Sequence, residues 1–193
     1  MGYTFGFGYQ TEEGNVINDN YKRYNLKASI DHSLNEQWRG GMSINVSLAQ
    51  HNMGSPNVMV EGFRMSPIAS PYDTETGELI LQPGKDAIDG ITPITYHIDF
   101  TSSINPLMEV KKAWVEKNST YAIGNIFLEY SPINWLSVKT TFAPRFTMSR
   151  LGQYAGTGSE GNAIGDPQGR IDNEQAFSYV WDNQVNANKV FGD

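Results

Sequence analysis

The chain has 193 residues, a mass of 21.5 kDa and a formal charge of -7, with a pI near 4.9. That charge excludes nucleic acid as a partner, because phosphate binding needs clustered Lys and Arg, and the absence of cysteine excludes disulfides, thiolate metal sites and Cys nucleophiles. No apolar run reaches the ~18 residues of a transmembrane helix, whereas barrel strands of ~9 to 11 alternating residues fit the mean hydropathy of -0.44.

Nineteen glycines, 12% aromatics and no Ala/Leu/Glu/Lys-rich segment favour an all-β class. Residues 3–10, YTFGFGYQ, set Tyr3, Phe5, Phe7 and Tyr9 opposite Thr4, Gly6 and Gly8. Met1 leads straight into this strand with no signal-peptide pattern, so a barrel reading implies a chain that begins further upstream. TEEGNVINDN reads as a polar turn, and a second strand over 21–32 sets Tyr24, Leu26, Ala28 and Ile30 against Asn25, Lys27, Ser29 and Asp31. After SLNEQ, a third strand over 37–50 alternates Trp38, Met42, Ile44, Val46 and Leu48 with Arg39, Gly41, Ser43, Asn45 and Ser47.

Residues 52–118 break the alternation with six prolines, a small hairpin at PYDTETGELIL and helical spacing in LMEVKKAWVEK. Strands return over 119–131, where Ala122, Gly124, Ile126, Leu128 and Tyr130 share a face, and over 135–148, where Leu136, Val138, Thr140 and Phe142 do. The tight turn PIN joins them. Residues 152–173 are a Gly-rich loop, and a last strand over 175–190 carries Phe177, Tyr179, Trp181, Val185 and Ala187.

Six antiparallel strands thus alternate short links at SLNEQ and PIN with three longer ones. Outer-membrane barrels segregate short periplasmic turns from long outer loops in this way, while a soluble carbohydrate-binding β-sandwich, the competing architecture, has no reason to. The expected lipid face is the Tyr/Phe/Ile/Val/Leu set and the lumen face the Arg/Lys/Asn/Ser/Asp set. Residues 52–118 and 152–173 then lie outside the cell, with SLNEQ and PIN in the periplasm.

Few motifs point to bond chemistry. GTGSEG at 156–161 has the letters G-x-G-x-x-G without the strand-to-helix context of a dinucleotide site, and reads as a loop. Asp86 and Asp89, or Asp73, Glu75 and Glu78, supply oxygens for a hard cation, but without an EF-hand ladder they read as solvated acids. His32, His51 and His97 are far apart and lie in no HExxH or G-x-S-x-G motif. We expect no enzyme activity, no cofactor and no metal. Tyr72, Tyr96, Trp114 and Tyr154 fall in or near the outer loops and are the candidate substrate-binding residues, by stacking on sugar rings; otherwise they pack the loops together.

EGNVINDNYKRYNLKASIDHSLNEQWRGGMSINVS resembles the strand, turn, strand, strand passage of SusC-like TonB-linked outer-membrane transporters. SPYDTETGEL, INPL, LEYSPINWLSVKTTFAPRF and YVWDNQVNANKVFGD resemble the same family in the same order. The resemblance implies a partial TonB-dependent receptor barrel over 1–193, cut from a large barrel that holds a plug. It also implies location in the outer membrane, import of glycans or peptides, and a SusD-like surface lipoprotein and TonB as partners through parts absent here.

Overall fold

The computed structural model describes residues 1–65, 67, 69–83, 104–160, 162 and 165–189. Six strands form one antiparallel sheet in chain order: β1 (Gly2–Glu13), β2 (Asp19–Ser33), β3 (Trp38–Gly54), β4 (Ala113–Ile133), β5 (Leu136–Ala155) and β6 (Gln168–Ala187). Two seven-residue helices, α1 (Val58–Arg64) and α2 (Pro106–Lys112), sit in the connection between β3 and β4.

The register keeps the apolar sets together. One row across the sheet reads Phe7, Leu26, Val46, Ala122, Phe146, Phe177, and the adjoining row on the other face reads Gly6, Lys27, Asn45, Ile123, Arg145, Ser178. A slip of one residue at any pairing would mix the two sets. Aromatic pairs border the apolar band, with Tyr9 against Tyr24 at 5.0 Å near the long-loop end and Trp38 stacked on Tyr130 at 4.4 Å near the short-turn end. Between Trp38 and Leu48, β3 rises ~33 Å at ~3.3 Å per residue. At a tilt of ~35–45° this is ~25 Å of height, the size of the lipid-facing band of a membrane barrel.

This face is covered by nothing among the described residues. The only buried hydrophobic side chains described are Ala69 and Ile104, both in the β3–β4 connection, while Tyr3 is 81% and Trp181 66% exposed. A sandwich would bury such a face under a second sheet ~10 Å away. All six described strands lie in one sheet instead.

The strands run further toward the long-loop end than the alternation predicts. Thr11, Glu12 and Glu13 continue β1 and pair with Lys22, Tyr21 and Asn20, so the first of the three longer links is only the turn 14–18. Asn18 makes this turn in the left-handed region, at φ 68°. The other two span 55–112 and 156–167 rather than 52–118 and 152–173. A strand that projects beyond an apolar band is solvated on both faces, so it loses the alternation that marks strands. LMEVKKAWVEK is divided for a related reason: the helix ends at Lys112, and Ala113 opens β4 opposite Ala155.

The short turns are tied by their own side chains and by each other. Asn35 Oδ1 accepts from the backbone N–H of Gln37 (2.9 Å) and Trp38 (2.8 Å), and Ser131 N–H donates to the Gln37 carbonyl at 2.8 Å.

Candidate functional site

The polar face carries organised charge. Arg39 donates from Nε (3.0 Å) and Nη2 (2.7 Å) to the two oxygens of Asp31, and Nη1 stands 3.9 Å from Glu129. Its guanidinium and the Lys139 ammonium lie 5.7 and 4.7 Å from the centre of the Phe127 ring, and Arg145 lies 5.2 Å from that of Tyr121. Higher on this face Arg23 donates to Asn25 and Ser47, and His51 Nε2 meets Asp19 at 3.2 Å. Exposed pairs of this kind add little stability. They make a hydrated wall whose cations are held in place by carboxylates and ring faces, suited to polar solutes.

Above the long-loop end the connections fold into a small layer organised by buried polar groups. Glu61 of α1 accepts from Ile104 N–H (2.7 Å) and Arg64 Nη1 (3.0 Å). Glu109 of α2 accepts from Ser55 Oγ at 2.5 Å and from the backbone N–H of Glu160 in the 156–167 loop. Asn105 caps α2 through Leu107 N–H and donates from Nδ2 to the carbonyls of Pro71 (2.7 Å) and Ile80 (2.8 Å). Glu61, Glu109 and Asn105 are fully or nearly fully buried. Each joins segments far apart in sequence.

The expected hairpin at 71–80 is present: Tyr72 bridges Leu79, and Ile80 N–H donates to Pro71. Asp73 accepts from the backbone N–H groups of Thr76 and Glu75, both at 2.8 Å, which hold its carboxyl below the usual carboxylate range. Of the expected acidic set, Asp73 thus serves its own turn. Among the described residues no three His, Asp or Glu side chains are gathered to hold a metal. GTGSE lies in the loop between two antiparallel strands, with Gly158 at φ 96°. Tyr96, Asp86, Asp89 and His97 lie outside the described residues.

The candidate binding residues divide. Trp114 and Tyr154 face each other across β4 and β5, with stacked rings 6.0 Å apart, whereas Tyr72 stands in the hairpin, 44% exposed. Register puts Trp114 and Tyr154 on the apolar-band side of the sheet, opposite the charged wall. Sequence reasoning missed the buried glutamates, which nothing local distinguishes from solvated acids. It missed Asn105 as well, although here a local signal exists, since Asn followed by Pro is an N-cap and first-turn pair.

Among the described residues, one apolar face, one charged face and connections of unequal length at the two ends define a two-sided sheet. Its fold is similar to part of the solved structure of the RagAB peptide importer in its "closed-closed" state, with a TM-score of 0.64 and 18% identity over 95% of this chain. The chain spans 20% of that importer chain's length. No family model matches, and no curated protein does.

Proposed function

We propose that this chain is a section of the barrel wall of a SusC-like, TonB-linked outer-membrane transporter, with lipid on the Tyr/Phe/Ile/Val/Leu face and the transport path along the Arg39–Lys139 face. The observation that carries the reading is the apolar band itself: six strands, in unbroken register between Trp38 and Leu48 of β3, present one aromatic-bordered face that none of the described residues covers. The likeness of fold to part of a peptide importer supports it. Its work is binding and passage of peptides or glycans, not bond making. A SusD-like lipoprotein lid and TonB would act through the larger protein.

Orientation tests the reading. This section lacks cysteine, so single substitutions Glu75→Cys in the hairpin and Asn134→Cys in the β4–β5 turn give unique labels on whole cells in a complete barrel whose cysteines outside this section, where it has any, are replaced by serine. Expected is labelling by a membrane-impermeant maleimide at 75 and not at 134 until the outer membrane is opened. Equal labelling of both in intact cells counts against a spanning sheet, and the reverse pattern inverts its orientation.

A further inference from the structure

The apolar-band side of the sheet continues past the band in a graded order. The first row beyond Tyr9, Tyr24, Leu48 and Met148 contains Thr11, Lys22, Gln50, Asn118, Arg150 and Asn173: two cations and no acid. The next row on this side carries Glu13 and Glu116, the latter accepting from Asn118 Nδ2, and beyond it Trp114 and Tyr154 border an open cleft of about 370 Å³ with Glu116, Arg150, Gly152 and Ile171. The indole lies over Gly152, where an added Cβ would stand 3.4 Å from Cζ3, and both rings remain partly exposed.

Height gives this order a meaning. The Lys22/Arg150 row stands two residues beyond the band, ~5 Å above it for strands tilted ~35–45°. That is inside the ~5–8 Å headgroup layer of one leaflet. Trp114 is six residues beyond Thr120, ~20 Å along the strand and ~15 Å in height, above any ordinary phospholipid headgroup. An extended saccharide on a membrane-anchored lipid reaches that level. Cations at phosphate height and an aromatic shelf at sugar height, on the side facing away from the charged wall, match one amphiphile from acyl chain to sugar.

We propose that the Trp114–Tyr154 shelf binds the saccharide of a phosphorylated glycolipid in the surrounding outer leaflet, with Lys22 and Arg150 taking its phosphates, rather than binding the transported cargo. This rests on the outer-membrane reading above. It assigns Trp114 and Tyr154 a lipid annulus role and leaves Tyr72 with the loops.

The complete barrel in nanodiscs tests it, with phosphatidylcholine plus a phosphorylated diglucosamine lipid that either bears or lacks an oligosaccharide. Expected on Trp114→Ala/Tyr154→Ala is a loss of about fivefold or more in retained saccharide-bearing lipid, as removal of ~1 kcal/mol of stacking gives, with retention of the saccharide-free lipid unchanged. Trp114→Phe/Tyr154→Phe restores retention, and Lys22→Gln/Arg150→Gln lowers that of both lipids. Equal retention of the two lipids by the native protein, or binding of the free oligosaccharide at the shelf as tightly as the lipid-borne one, overturns the proposal. Insertion is read separately, by quenching of Trp38 and Trp181 with brominated acyl chains. Quenching without glycolipid discrimination overturns this inference alone, and absence of quenching overturns the membrane reading with it.

Discussion

The sheet and the loop layer above it are organised in opposite ways. Within the apolar band of the sheet residues follow a period of two, the apolar set lies on one face and the charged set on the other, and the large apolar side chains are covered by none of the described residues. In the loop layer there is no period, and buried Glu61, Glu109 and Asn105 hold distant segments through directed hydrogen bonds. On the reading proposed above the sheet takes its stability from what surrounds it, whereas the layer carries its own internal links. A surface in contact with lipid needs only the right polarity, but a loop that stands in water must satisfy every buried polar group it contains.

The strongest consequence falls on the sheet. Among the described residues the outer edges of β1 and β6 have no strand partner, and in hydrocarbon each unpaired backbone group costs several kcal/mol. The isolated chain is expected to self-associate in buffer without detergent and to give no solute flux in liposomes. Sedimentation as a soluble monomer would show the apolar face buried by protein, as in a sandwich, and specific flux would show six strands to be sufficient.

Next is the sorting of faces, tested on neighbours. Ile44 lies near mid-height of the band in β3, and Ser43 lies beside it on the charged side. In the complete barrel Ile44→Arg should cost ~2–4 kcal/mol in a reversible folding assay in liposomes, and Ser43→Arg close to nothing. Equal costs would mean that both faces meet the same medium.

How far each region was legible in the sequence follows from the same contrast. Within the band, Met42, Ile44, Val46 and Leu48 announce both the strand and its face, because only period-two spacing puts them together. Outside it, Glu116, Asn118 and Arg150 pair across β4 and β5 just as regularly, but water on both sides removes the spacing signal, so those strand ends read as loop. In the layer, Asn105–Pro106 marks a helix start locally, while Glu109 is defined by Ser55 and Glu160, respectively 54 and 51 residues away. No local pattern encodes a partner at that distance. Trp114 and Tyr154 stood out as aromatics near the loops, but their side of the sheet emerged only once the strands extended through them.

The loop layer has its own, smaller test. Glu109→Ala removes the acceptor of the buried Ser55 Oγ, left unpaired at ~1–3 kcal/mol, and frees the part-buried Glu160 N–H to water. The effect should be local: hydrogen exchange at Glu160 and nearby amides of the 156–167 loop rises by about 5- to 150-fold while β3 to β5 keep their protection. Faster exchange throughout the sheet would mean that the layer supports the sheet rather than resting on it.

The smallest effect expected is at the 71–80 hairpin, where one exposed side chain sets a turn. The backbone N–H groups of Thr76 and Glu75 stabilise the ionised Asp73 carboxylate, so its folded pKa lies below the unfolded value of ~3.9. A depressed acid pKa stabilises the turn in the range above the unfolded value, and this contribution is lost as pH falls through the lower folded value. Amide exchange at Thr76, corrected for its intrinsic pH dependence, should thus be steady from ~pH 6 down to ~pH 4 and lose protection below that. Asp73→Asn keeps an acceptor oxygen in place, so the turn persists with this pH dependence gone, and Asp73→Ala loses the protection at every pH. Retention of the low-pH loss in Asp73→Asn would move the organising group of the hairpin away from Asp73.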